Sequence, residues 1–185
     1  MLDRMSVCRK DYDIIRLLGH GKGGYSYLAE RGGERFVLKQ IHHEPCGYYT
    51  FGDKIAAERS DYERLKRAGI RIPAMIDIDT EAERVVKEYI EGDTVLDLIL
   101  KGCSVEPYIA QVRLMAASAE AAGINIDYFP TNFVVNGGLI WYVDYECNDY
   151  MDEWNFENWG KLYWSRTPEL ERWLEDAEKK REVLK

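Results

Sequence analysis

Asp127 and Asn132 stand five residues apart in DYFPTN, with Pro130 stiffening the turn between them, and Asp144 ends the apolar run LIWYVD twelve residues further on. A carboxylate and an amide carbonyl are hard oxygen donors, the kind a Mg²⁺-sized cation takes together with phosphate oxygens. Taken singly, Asp127 is also an ordinary turn-former, because a short carboxylate captures nearby backbone N–H groups. Far upstream, LGHGKGGYSYLAE sets Gly19, Gly21 and Gly24 at G-x-G-x-x-G spacing. Strand-like segments lie on both sides, which excludes a dinucleotide fingerprint, since that needs a helix N-terminus under the pyrophosphate. Two alternatives remain: a flexible hairpin whose N–H groups approach phosphate oxygens with no side chain in the way, or a plain glycine-rich turn.

Two charged residues stand where apolar ones are expected. Lys39 lies in the strand-like FVLKQI, where alternation puts it on one face with Val37 and Ile41. A lysine between aliphatic neighbours is partly buried and needs an anionic partner; on an edge strand it would instead face solvent. Glu58 falls inside the helical arc defined by Ile55, Tyr62 and Leu65, so its carboxylate points to the face that should be apolar. Opposite charges aimed inward from a strand and the following helix satisfy each other.

The elements that must carry these residues follow from periodicity and turn chemistry. Strands are predicted at 11–19, 25–30 and 34–41, the last two joined by a Gly32-Gly33 hairpin turn, as a small antiparallel meander. After a Gly/Pro/Tyr-rich connection at 43–52 comes a helix at 53–68, ended by Gly69, then strands near 74–79 and 83–89. Glu91-Gly92-Asp93 break the pattern before a short helix starting near Val95. Tyr108, Ile109, Val112, Met115, Ala116 and Ala119 recur at helical spacing, predicting a long core helix from Ser104 to Gly123. Beyond it, INIDYFPTN is expected as a loop, FVVNGGLIWYVDYE as a hairpin on an Asn-Gly-Gly turn, and 152–164 and 168–183 as helices, with a frayed charged end in EKKREVLK.

At 185 residues and 46% apolar, the chain suffices for one core or for two small lobes. Its net charge of −8, with no basic run, disfavours nucleic acid or an anionic membrane face as partner, so any anion site must be local. The four cysteines are dispersed, with no C-x-x-C pair and no secretory apolar segment ahead of them. These features predict a reduced, soluble, cytoplasmic chain with no membrane insertion. His42-His43-x-x-Cys46 has too few ligands nearby for a structural metal site and is taken as a loop accident. Trp154, Trp159 and Trp164 are taken as part of a closing helix in preference to an aromatic ligand cage.

Taken in order, the glycine hairpin, Lys39, Glu58, KEYIEG (87–92), D-x-x-P-x-N and Asp144 resemble the protein-kinase-like phosphotransferase superfamily over about residues 12–146. The resemblance implies an α+β, minimal two-lobed kinase-like fold: an N-lobe at 1–91 with an antiparallel sheet and one helix, and a reduced helical C-lobe at 92–185. It also implies ATP and Mg²⁺ as cofactors and transfer of the γ-phosphoryl group to a hydroxyl of a protein Ser/Thr or a small molecule. By the same resemblance, Gly19, Gly21, Gly24 and Lys39 meet the phosphates and Glu58 holds Lys39. Main chain near Glu88, Tyr89 and Ile90 receives adenine, Asp127 is the catalytic base or orienting residue, and Asn132 and Asp144 hold the metal.

The chain departs from the protein-kinase pattern at several places. Ile126 replaces the arginine of His-Arg-Asp, DYE replaces Asp-Phe-Gly, no Ala-Pro-Glu follows, and 41 residues (185 − 144) remain after Asp144. This abbreviated form is similar to the lipopolysaccharide-kinase, RIO-type and aminoglycoside/choline phosphotransferase branches. Phe129 stands where, by the resemblance, many protein kinases carry a lysine and many small-molecule kinases a histidine near the transferred phosphate. Its lack of charge keeps open a nucleotide-binding pseudokinase acting as a regulatory module, and a purely structural interaction domain stands as a third alternative.

Overall fold

We describe a computed structural model over residues 3–21, 23–44 and 52–183. The chain is α+β and divides into two compact units, one of residues 1–63 and 73–90, the other of 64–72 and 91–185. Cys46, with most of the predicted 43–52 connection, lies outside the described residues. Among the described residues no helix is long and apolar enough to cross a membrane, and Cys8, Cys103 and Cys147 are free thiols.

The first unit is built on a six-stranded antiparallel sheet of β1 (Arg4–Val7), β2 (Lys10–Gly21), β3 (Gly24–Arg31), β4 (Glu34–Ile41), β5 (Met75–Asp79) and β6 (Arg84–Glu88). Their order is β1-β2-β3-β4-β6-β5. Gly32 and Gly33, at φ 63° and 82°, form the predicted two-residue turn between β3 and β4. Strand β1 is an addition to the predicted meander. It turns into β2 through Cys8 and Arg9, both with positive φ (49° and 64°), a conformation that two-residue hairpins need but that glycine or asparagine usually supplies. Asp79 holds this turn, its carboxylate accepting the Cys8 N–H at 2.8 Å. One face of the sheet buries Val7, Tyr12, Ile14, Ala29, Leu38 and Val86. The other buries Ile41 and Val85 against Ile55 of helix α1 (Lys54–Arg67).

Helix α1 begins where Asp53 accepts the Ala56 N–H at 2.9 Å, a side-chain N-cap. It ends as predicted at Gly69 (φ 74°): the Ile70 N–H returns to Leu65 O and the Gly69 N–H to Lys66 O, with Leu65 and Ile70 both buried. This pair of bonds is the Schellman arrangement, which only a residue tolerant of the left-handed region closes cheaply.

The second unit contains β7 (Asp93–Thr94), α2 (Val95–Leu100), α3 (Glu106–Ala121), β8 (Ile124–Ile126), β9 (Phe133–Asn136), β10 (Leu139–Tyr142), β11 (Cys147–Asp149) and α4 (Pro168–Val183). Thr94 caps α2 in a reciprocal capping box with Asp97. Helix α3 is the predicted core helix, burying Val112, Met115 and Ala119. Gly137 and Gly138 (φ 57° and 80°) turn β9 into β10. Gly92 is required in another way: a Cβ there would stand 2.0 Å from Val135 O, so β7 reaches β9 only because no side chain intervenes.

Two predictions need correction. Ile124–Ile126 is not loop but strand β8, paired antiparallel with β11, a partner more than twenty residues away that local periodicity does not show. Residues 152–164 form two single 3₁₀ turns, Asp152–Trp154 and Gly160–Tyr163, in place of a helix. Asn155 Oδ1 takes the Asn158 N–H at 2.8 Å, and Asn158 Nδ2 donates to Asp152 O at 2.8 Å, so side chains occupy backbone groups that a helix would use. The last predicted helix, 168–183, is present with those bounds as α4 (Pro168–Val183).

Candidate functional site

In the first unit, strand β4 carries Lys39 opposite Ser26 of β3 and Val85 of β6, on the face that receives α1. Glu58 lies one turn beyond Ile55 on that helix, and its Oε1 forms an ion pair with Lys39 Nζ. Both side chains are largely withdrawn from solvent, at 12% and 13% exposure. Among the described residues the second carboxylate oxygen, Glu58 Oε2, is buried without a hydrogen-bond partner. Oxygen left in this state is costly and is explained in native proteins by a role or a missing partner.

The glycine hairpin lies over the same ammonium. Gly21 pairs with Gly24 across the β2–β3 turn, and a Cβ on Gly23 would stand 3.3 Å from Lys39 Nζ. Gly19 and Gly21 face open space, where a Cβ would meet nothing within 4 Å. Gly24 is glycine for a packing reason: a Cβ there would fall 2.4 Å from Gln40 O. Glu88 is the last residue of β6, its Oε2 accepting the Ala74 N–H at 3.1 Å, and Tyr89 and buried Ile90 complete the unit in extended chain.

In the second unit, Asp127 follows β8 directly. Its Oδ1 accepts the Phe129 N–H at 3.0 Å in a local turn, and its own N–H is 3.3 Å from the Tyr142 hydroxyl. Asn132 closes a 3₁₀ turn (Pro130–Asn132), its Nδ2 3.4 Å from Asp127 O, while its carbonyl accepts the Val143 N–H at 2.9 Å. That last bond ties the DYFPTN turn to the stretch that carries Asp144. Asp144 Oδ1 caps the next residue, accepting the Tyr145 N–H at 2.8 Å. Burial pushes the Asp127 carboxyl above its ordinary value; the Phe129 N–H opposes this, and the negative charges of Glu146 and Asp144 add to it. A carboxyl raised this way is a stronger proton acceptor than a free one.

Aromatic packing fixes this loop from below. Trp164 is buried and donates its indole N–H to Tyr128 O at 2.7 Å, with Phe133 and Phe156 edge-on at 5.1 and 5.5 Å between centroids. Gly160 permits that approach, because a Cβ would fall 2.5 Å from Tyr128 Cβ. Phe129 packs on Trp173 at 4.5 Å and Tyr163 at 5.1 Å. Trp154 meets Trp159 edge-on at 5.8 Å.

Lys39 and Glu58 are brought together in one unit, and Asp127, Asn132 and Asp144 lie within one hydrogen-bonded stretch of the other. Sequence reasoning missed Tyr142, whose buried hydroxyl donates to Glu146 O at 2.7 Å while facing the Asp127 N–H. Its only sequence signal was a tyrosine inside the apolar run LIWYVD. The electrostatic part played by Glu146 was missed too, although the residue ends the quoted DYE. The chain matches no protein-family model and no curated protein.

Proposed function

We propose that this protein is an ATP- and Mg²⁺-dependent phosphotransferase that moves the γ-phosphoryl group of ATP to a hydroxyl, on a protein Ser/Thr or a small molecule, through a kinase-like two-lobed fold. The observation that carries this is the Lys39–Glu58 pair beneath the glycine hairpin. An ammonium placed there, beside Gly23 and below a hairpin with open space at Gly19 and Gly21, suits phosphate oxygens. Glu58 holds the ammonium in place, and main chain at Glu88–Ile90 would take adenine.

The donor set of the second unit suits a hard cation. Asn132 offers an amide oxygen and Asp144 a carboxylate, and these residues would hold Mg²⁺, which neutralises charge on the phosphates. Asp127 would orient the acceptor hydroxyl and accept its proton, and its raised pKa is in keeping with that task. Ile126 cannot grip a phosphate, so no activating phosphorylation is required.

A second reading, a nucleotide-binding pseudokinase, is favoured by Phe129, which turns an aromatic ring onto Trp173 and Tyr163 where a charge would assist transfer. Both readings share one requirement. With Mg²⁺ present, ATP at 100 times its dissociation constant should stabilise the fold by about 2.7 kcal/mol, read as a rise in melting temperature. An unchanged melting curve at millimolar Mg²⁺-ATP rejects both.

A further inference from the structure

His20 at the end of β2, His42 just beyond β4, and Glu44 are distant in sequence but bring one ligand atom each within 4.8 Å of one another. The two imidazole Nε2 atoms are 3.3 Å apart, and His20 Nε2 is 3.5 Å from Glu44 Oε2. Ligand atoms held about 2.0–2.1 Å from a tetrahedral zinc ion stand about 3.3 Å apart, so these separations match those around a bound ion. Two further contacts orient the group. The Tyr25 hydroxyl donates to Glu44 Oε1 at 2.6 Å, leaving Oε2 toward the histidines, and the Tyr25 ring stacks on His20 at 4.2 Å with 3° between planes. Partners of this kind fix ligand orientation in metal sites.

We propose that His20, His42 and Glu44 form a binding site for a borderline divalent transition metal of the Zn²⁺ class, which clamps the glycine hairpin to the segment after β4. Two imidazoles and one carboxylate, with water completing a tetrahedron, select such an ion over Mg²⁺ or Ca²⁺, which take oxygen ligands in larger number. The hydrogen bonds of His42 show what binding changes. His42 Nδ1 accepts the Glu44 N–H at 3.2 Å, so its proton sits on Nε2 and points to Gly21 O at 2.9 Å. Coordination through Nε2 moves that proton to Nδ1. Gly21 O and the Glu44 N–H then give up their present partner, and the hairpin end becomes tied through the metal. This site does not depend on the phosphotransferase reading.

The test uses the full-length protein and Co²⁺ as a visible probe. One equivalent should bind with the intense visible bands of tetrahedral cobalt, be displaced by Zn²⁺ and not by millimolar Mg²⁺, and slow amide exchange across residues 19–25. His20→Ala and Glu44→Gln should each weaken binding by at least tenfold, and Tyr25→Phe by about tenfold, on the scale of lost orienting partners. His43→Ala is the control, because its ring pairs with Glu83 at 2.7 Å. His20 and Glu44 are roughly half exposed (45% and 53%), so their variants should melt with the wild type. Absence of the cobalt bands in the folded wild type, or equal loss in His43→Ala and His20→Ala, would overturn the site.

Discussion

Asp127→Asn is expected to slow phosphoryl transfer by on the order of 10²-fold or more, the scale of a lost general base, while leaving Mg²⁺-ATP affinity within a few-fold of wild type. The substitution is nearly isosteric, and an amide oxygen can still accept the Phe129 N–H that Asp127 Oδ1 takes at 3.0 Å. The turn should therefore survive while the proton acceptor disappears. Single-turnover transfer, or ATP hydrolysis where no acceptor is known, set beside calorimetric affinity, separates the two effects; loss of affinity with an unchanged rate would reverse the assignment.

The same variant carries a pH signature. Burial raises the folded-state pKa of Asp127 above its ordinary 3.8, so ionisation costs the fold stability. That cost is absent below 3.8, grows as pH rises through the folded-state value, and is complete above it. Asp127→Asn should thus melt above the wild type at neutral pH, with the gap narrowing as pH falls toward 3.8. A variant that melts below wild type at pH 7 would show that the carboxylate serves the fold and not a reaction.

Lys39→Met should destabilise the fold by about 3 kcal/mol, since removing one partner of a buried ion pair leaves the other charge in a medium that does not solvate it. Glu58→Leu should cost a similar amount. The double variant should recover most of the loss, because a well-packed apolar pair often replaces a buried ion pair without penalty, and it would lie on a face that already holds Ile41, Ile55 and Val85. Denaturant melts of the four proteins give the coupling directly. If the pair is there for phosphate, the stable double variant should show no Mg²⁺-ATP shift. Additive single losses, or a double variant that still responds to nucleotide, would count against that role.

The pair was legible because each charge interrupts an apolar pattern: Lys39 between Val37 and Ile41, and Glu58 on the stripe of Ile55, Tyr62 and Leu65. Turns closed by Gly32-Gly33, Gly69 and Gly137-Gly138 were legible because each has positive φ. Cys8-Arg9 adopts the same backbone without glycine, which hid β1. Strand β8 was hidden because its three residues acquire strand character only through β11. In 152–164 the tryptophan spacing suggested a helix, but Asn155 and Asn158 bond to backbone and break it into turns. Tyr142 and Glu146 beside Asp127, like His20 beside His42, depend on chain folding back across many residues, for which no local pattern exists.

Incubation with γ-labelled ATP under single-turnover conditions, across pools of protein and small-molecule acceptors and with Asp127→Asn as blank, decides whether this chain is a phosphotransferase. Label should appear on an acceptor or as free phosphate in the presence of Mg²⁺, vanish with chelator, and fall by on the order of 10²-fold or more in the variant. Wild-type protein that binds Mg²⁺-ATP yet moves no label, or moves it as fast after Asp127→Asn, would contradict phosphoryl transfer at this site.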